Sequence, residues 1–212
     1  MSETFNPRPV ILEGRFARLE PMDEGHAEEL FEASRNERLF AYMPCAPLRS
    51  VEDAAKYIDQ ALRSAADGSQ IPFTIFHRGS SRVAGSTRYL DIQRQDRALE
   101  IGFTFVSSEH QRTPLNTECK YLLLKHAFTD LGAIRVQFKT DARNLQSQKA
   151  MERLGLVREG VLRKHRVLWN GFIRDSVFYS AVDDDWPAIR KRLEEFLSRP
   201  WPPTVPTSSF AV

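Results

Sequence analysis

The stretch from Ala98 to Thr140 does most to limit what this 212-residue chain can fold into. Ala98 to Val106 alternates, with Leu99, Ile101, Phe103 and Phe105 spaced to share one face of a strand. A helix is predicted from about Pro114 to Leu131, with Thr113 as its N-cap and Pro114 at its first position. Ile134 to Thr140 is extended again. This is the one pair of strands that the sequence certainly commits to a crossover helix, and a crossover makes its strands parallel.

The remaining elements are built around that unit. Val10 to Leu19 is extended, and Ala27, Leu30, Phe31 and Ser34 recur at helical spacing within Glu24 to Asn36. Pro44 and Pro47 break the chain. Ser50 with Asp53 opens a second helix to about Asp67, with Ala54, Tyr57, Ile58, Ala61 and Leu62 on one face. Phe73 to Phe76 and Val83 to Ile92 are strands separated by Gly79, Ser80 and Ser81. Asn144 to Leu154 is a short helix stopped by Gly155, and Val157 to Trp169 with Phe172 to Val182 is a hairpin around Asn170-Gly171. A last helix starts near Asp184 and carries Trp186, Ile189, Leu193, Phe196 and Leu197. The expectation is one mixed α/β domain of about 10–197, with 1–9 as an extension and 198–212 as a proline-rich tail. Trp201 and Phe210 in that tail are free to dock on the body or on a second copy in a homodimer.

Several chemistries drop out. No apolar run reaches the roughly 20 residues of a spanning helix, and the N-terminus lacks the pattern of a signal peptide. Cys45 and Cys119 are isolated, as expected of a cytoplasmic protein. The histidines, 26, 77, 110, 126 and 165, have no metal-binding spacing, so no metal is expected. Neither a phosphate-binding P-loop nor a dinucleotide fingerprint occurs. Thirty Lys and Arg against 28 Asp and Glu leave +2, too even for nucleic acid to be the expected partner.

The start of the long helix is where the sequence points to a ligand. Unpaired amides and the positive end of the helix dipole lie beside Arg112, which is the recipe for an anion site. The segment Val106 to Glu118 resembles the acetyl-CoA motif of the GCN5-related N-acetyltransferase (GNAT) superfamily, in its RimJ/RimL-type branch. Val106 and Gln111 match the motif, while Pro114 and Asn116 replace its two small residues. Asn144, Ser147 and Gly155-Leu156 match a second family motif, and Glu100-Ile101-Gly102-Phe103 precedes the first. The resemblance covers roughly Val10 to Phe196. It implies a central twisted mixed sheet with helices on both faces, whose fourth and fifth predicted strands splay apart around the pantetheine arm.

The same resemblance implies acetyl-CoA as cosubstrate, bound by Phe103, Phe105, Val106, Gln111, Arg112, Thr113, Leu115, Asn116, Thr117 and Asn144. Proline supplies no amide, so Leu115, Asn116 and Thr117 are expected to present theirs, helped by the Thr113 and Thr117 hydroxyls. Glu100 is placed on the face opposite Leu99, beside the small Ala98, Gly102 and Thr104, and is the implied base. Ser147 is the implied aid to thiolate departure, with Tyr179 in reserve. Cys119, in register with Leu115, Leu122 and Leu123, reads as core, which favours direct attack by the amine over an acetyl-cysteine. The acceptor stays open between a protein N-terminal amine and a small-molecule amine. A basic run from Gln148 to Arg174 reads plainly as a solvated hairpin edge, with a contact for the cofactor's 3′-phosphate and an RNA patch as the competing functional readings. A CoA-binding or ribosome-associated module without catalysis is the competing reading.

Overall fold

A computed structural model describes residues 5–201. Eight strands form one sheet in the order β1-β2-β3-β4-β5-β6-β8-β7. They are β1 (Leu12–Glu13), β2 (Ala17–Pro21), β3 (Ile71–His77), β4 (Arg82–Gln93), β5 (Ala98–Val106), β6 (Arg135–Asp141), β7 (Val157–Val167) and β8 (Ile173–Val182). The extended N-terminal segment is two strands rather than one, because a turn at Gly14 folds it back with the Gly14 N–H on the Ala17 carbonyl, 2.8 Å. Among these described strands only β5 and β6 pair in parallel, as the crossover requires.

Five α-helices cover the sheet: α1 (Ala27–Ser34), α2 (Val51–Ala66), α3 (Pro114–Lys125), α4 (Leu145–Leu154) and α5 (Trp186–Ser198). Three of the starts, those of α2, α3 and α4, follow local chemistry. The Ser50 hydroxyl accepts from the Asp53 N–H, Thr113 from that of Leu115, and Asn144 from that of Ser147. Gly155 ends α4 at φ 97°, a conformation that suits glycine. The predicted long helix is α3 followed by a π-helical turn, His126–Asp130. The hairpin is present, but five residues separate its strands, and Asn170 spends its side chain on the Phe172 N–H.

Two apolar clusters follow, one on each face. Leu99, Ile101, Leu115, Cys119, Leu123, Val136, Phe138 and Tyr179 pack with α3 and α5. Leu30, Phe40, Tyr57, Ile58, Phe76, Val83 and Phe105 pack with α1 and α2. Phe5, placed by sequence in an extension, is 2% exposed within the first cluster. Trp201 stands against Phe196 with ring centres 5.1 Å apart, while Phe210 lies outside the described residues.

The expected single face for Leu99, Ile101, Phe103 and Phe105 is corrected by a β-bulge. Arg88 opposes Gly102 and Ser86 opposes Phe105, so Thr87 faces two residues, Phe103 and Thr104. Phe103 takes φ 49°, a costly value for a bulky side chain. The extra residue inverts the alternation. Phe103 and Phe105 turn to the α1–α2 face, and Thr104 turns away from Glu100 to meet Lys120 of α3.

Candidate active site

Beyond three paired residues, β5 and β6 part. Ala98, Leu99 and Glu100 face Arg135, Val136 and Gln137, and the ladder stops there. The backbone of β5 from Ile101 onward therefore has an edge without a strand partner, at the height of the bulge. A cleft of about 1290 Å³ runs through this gap and is lined from both faces of the sheet.

On the α1–α2 face the cleft holds Glu100, which is 1% exposed. Its Oε2 accepts from Lys139 Nζ at 2.6 Å and Gln137 Nε2 at 3.1 Å. This is a buried, held carboxylate, not a solvated one. A Cβ at Gly102 would stand 2.9 Å from Glu100 Oε1, so glycine there leaves the second oxygen its room. Lys139 is opposite Phe178, and strand alternation puts Arg174, Ser176 and Phe178 on this same face. Tyr179 therefore points the other way. It is fully buried, donates to Glu152 Oε1 at 3.0 Å, and does not line the cleft.

On the α3–α4 face the lining includes Val106, Gln111, Arg112, Asn116, Thr117, Asn144 and Ser147. Thr113 and Leu115 are not part of it. The Thr113 hydroxyl donates to the His110 carbonyl at 2.7 Å and accepts from the Leu115 N–H at 3.3 Å, while the Leu115 side chain is core. The N-cap carbonyl of a helix takes the fourth-position amide, here that of Thr117. With proline first and Leu115 capped, α3 offers one amide, that of Asn116, where sequence suggested three. Arg112 sits just before at φ 60° and is exposed. Asn116 also buries its Oδ1 without a partner among the described residues, an acceptor that a ligand amide would satisfy.

Lys120 was missed by sequence reasoning because its spacing gives no sign of burial. Its Nζ, in a residue 9% exposed, donates to Thr104 Oγ1 at 2.8 Å and lies 5.7 Å from the centre of the Phe138 ring. No described carboxylate pairs with it, and burial pushes its pKa down to about 8. Glu118 was missed likewise. Its carboxylate accepts the N–H groups of Arg15, Phe16 and Ala17 at 2.6–2.9 Å, tying β2 to α3. Cys119 is fully buried with its thiol pushed up to about 12, so it stays protonated at neutral pH. The basic run divides. Arg153 reaches the α3 side and donates to Thr117 Oγ1 at 3.1 Å, and Arg166 and Arg174 enter the cleft from the hairpin. Among the described residues no group of three or more His, Cys, Asp or Glu could hold a metal, and no helix is long and apolar enough to cross a membrane.

A family model described as an acetyltransferase (GNAT) domain matches residues 17–157. The uncharacterized N-acetyltransferase YoaA of Bacillus subtilis is 25% identical over 172 residues, 81% of this chain and 96% of that protein. A GCN5-related N-acetyltransferase from Brucella melitensis superposes with a TM-score of 0.86 at 30% identity, covering 91% of this chain and 87% of that one. RimJ of Mycobacterium smegmatis, solved in complex with CoA-disulfide, superposes at 0.78 and 18% identity, over 92% and 98%, and so shares the fold.

Proposed function

Because the chain belongs to the GNAT family of acetyltransferases, we propose that it moves the acetyl group of acetyl-CoA to a primary amine by direct attack in a ternary complex. Family membership makes the chain an N-acetyltransferase and speaks against the reading of a module without catalysis. The observation that carries the rest is the gap between β5 and β6, into which functional groups project from both faces of the sheet. It suits a reaction whose two substrates arrive from opposite sides.

The α3–α4 side is the half for the cofactor, in keeping with a RimJ/RimL-type enzyme. Arg112 and the Asn116 amide would take the diphosphate, the buried Asn116 Oδ1 an amide of the pantetheine arm, and Asn144 the arm beyond it. Phe103, Phe105 and Val106 supply the wall of the gap, and Gln111 its mouth. Acetyl-CoA itself brings an activated thioester. The unpaired edge of β5 beside the bulge would hold the carbonyl oxygen as negative charge develops on it.

On the other side Glu100 accepts the proton that the amine loses, through its Oε1. Two donors in the cleft lining, the Ser147 hydroxyl and the Lys120 ammonium, are available to the departing sulfur. At about 8, Lys120 is close to a thiol's ordinary pKa of about 8.5, which makes it the better matched proton source, with Ser147 adding a hydrogen bond.

Calorimetry with CoA and thiol release from acetyl-CoA across an amine panel test this reading. Asn116→Ala with Thr117→Val should weaken CoA binding, and Glu100→Gln should lower turnover with binding intact. Folded protein that takes up no CoA would overturn the proposal.

A further inference from the structure

We propose that the acceptor amine carries an anionic group, a carboxylate or a phosphate, which Arg166 and Arg174 bind at the hairpin end of the cleft. The inference rests on the acetyl-transfer reading and names the class of its acceptor. Arg166 and Arg174 are direct partners across β7 and β8, so two guanidinium groups face each other on one side of the sheet. Like charges placed opposite one another on a sheet repel. Neither is within ion-pair distance of a carboxylate among the described residues.

The nearby acids are already committed. Glu100 holds Lys139, Asp141 holds Arg143 at 2.7 Å, and Asp175 accepts the Lys164 N–H at 2.7 Å. Arg174 is 5% exposed, and the structure builds it in place, Nε donating to Ser176 Oγ at 2.9 Å and Nη1 to the Tyr42 carbonyl at 3.1 Å. Ser176 Oγ also meets His165 Nδ1 at 3.0 Å. Burial, then Lys139, Arg166 and Arg174, push His165 below its ordinary pKa, which disfavours a third charge beside the two guanidinium groups. A guanidinium fixed by two neutral acceptors, with a second beside it and no ion pair of its own, while the nearby Asp141 and Glu100 are paired with Arg143 and Lys139, is a receptor for an oxyanion.

Position decides which anion. The two arginines share the face of Glu100, whereas the cofactor's diphosphate is assigned to the α3 start behind the sheet. The anion therefore belongs to the molecule whose amine reaches Glu100. No bond changes at this end; the contact positions the acceptor.

Three acceptor pairs with and without the anion test it, rates being taken per neutral amine because the anion also raises the amine's pKa: glycine and glycinamide, phosphoethanolamine and ethanolamine, and a tripeptide with Asp or Asn at position two. The anionic member of at least one pair should show kcat/KM about tenfold or more higher, mainly through KM. The pair that responds identifies carboxylate, phosphate or peptide side chain as the source. Arg166→Met, at an exposed site that leaves the core alone, and Arg174→Lys should erase the preference. Equal rates within every pair, or a preference kept in Arg166→Met, would overturn the inference. A wild-type enzyme that releases no thiol with any amine would sink the transfer reading instead. The anion site is then judged by inorganic phosphate, which should shift the His165 NMR signal saturably in the wild type and not in Arg166→Met; no shift in the wild type refutes it.

Discussion

Replacing Lys120 by methionine keeps most of the side chain's bulk and removes its charge, and the protein should gain stability at neutral pH. The Nζ is buried with a threonine hydroxyl and an aromatic ring for company, and burial lowers its pKa from 10.5 to about 8. That gap of about 2.5 pH units, at about 1.36 kcal/mol each, means that the folded state pays about 3 kcal/mol to keep the ammonium charged. Losing the bond to Thr104 returns about 1 kcal/mol, leaving a net gain of about 2 kcal/mol. The sign follows from proton counts. Between pH 8 and 10.5 the unfolded chain still holds a proton that the folded one has released, so wild-type stability rises with pH across that window. The advantage of Lys120→Met is thus full below pH 8 and fades toward 10.5. Urea unfolding at pH 7 and pH 9.5 reads both, with a Tm about 4–8 °C higher for the variant at pH 7. A variant less stable at pH 7, or an advantage of equal size at both pH values, refutes the reasoning. If Lys120 also protonates the leaving thiolate, the stabler variant should turn over about 100-fold more slowly.

Two further outcomes rest on other contacts. Glu118→Ala strips three backbone N–H groups of a charged acceptor, and should cost about 3 kcal/mol in urea unfolding; a loss under about 1 kcal/mol would mean that water replaces the carboxylate without penalty. Gly102→Ala places a methyl 2.9 Å from Glu100 Oε1 and 3.1 Å from Leu90 Cδ1, while Lys139 and Gln137 hold the carboxylate from its other side. Turnover should fall about tenfold or more with the CoA dissociation constant unchanged, and an unaltered kcat would show that Glu100 need not be held so closely.

What could be read in advance was local. Ser50, Thr113-Pro114, Asn144 and Gly155 act on neighbouring backbone, so the starts and stop they mark lie close to where sequence put them. The crossover of β5 and β6 was legible because a helix between strands leaves few alternatives. The bulge was not, since Phe103 replaces the glycine that would have announced a positive φ and continues the aromatic alternation. Glu118 and Lys120 were hidden for another reason. Both are polar residues on a helix buried on nearly every side, and only the partners that β2 and β5 bring reveal why charge is tolerated there. The cross-strand meeting of Arg166 and Arg174 depends on a second register shift, in β7, that no short pattern encodes.

The odd residue in β5 also governs which kinds of change the strand can survive. Excising Phe103 alone would restore strict alternation, leaving Thr104 opposite Thr87, Phe105 opposite Ser86 and each later side chain on its present face. Losing Phe105 instead would bring Val106 into the aromatic nest of Phe40 and Tyr57. The doubled position is accordingly where this strand can shorten without interchanging the walls of two separate chambers.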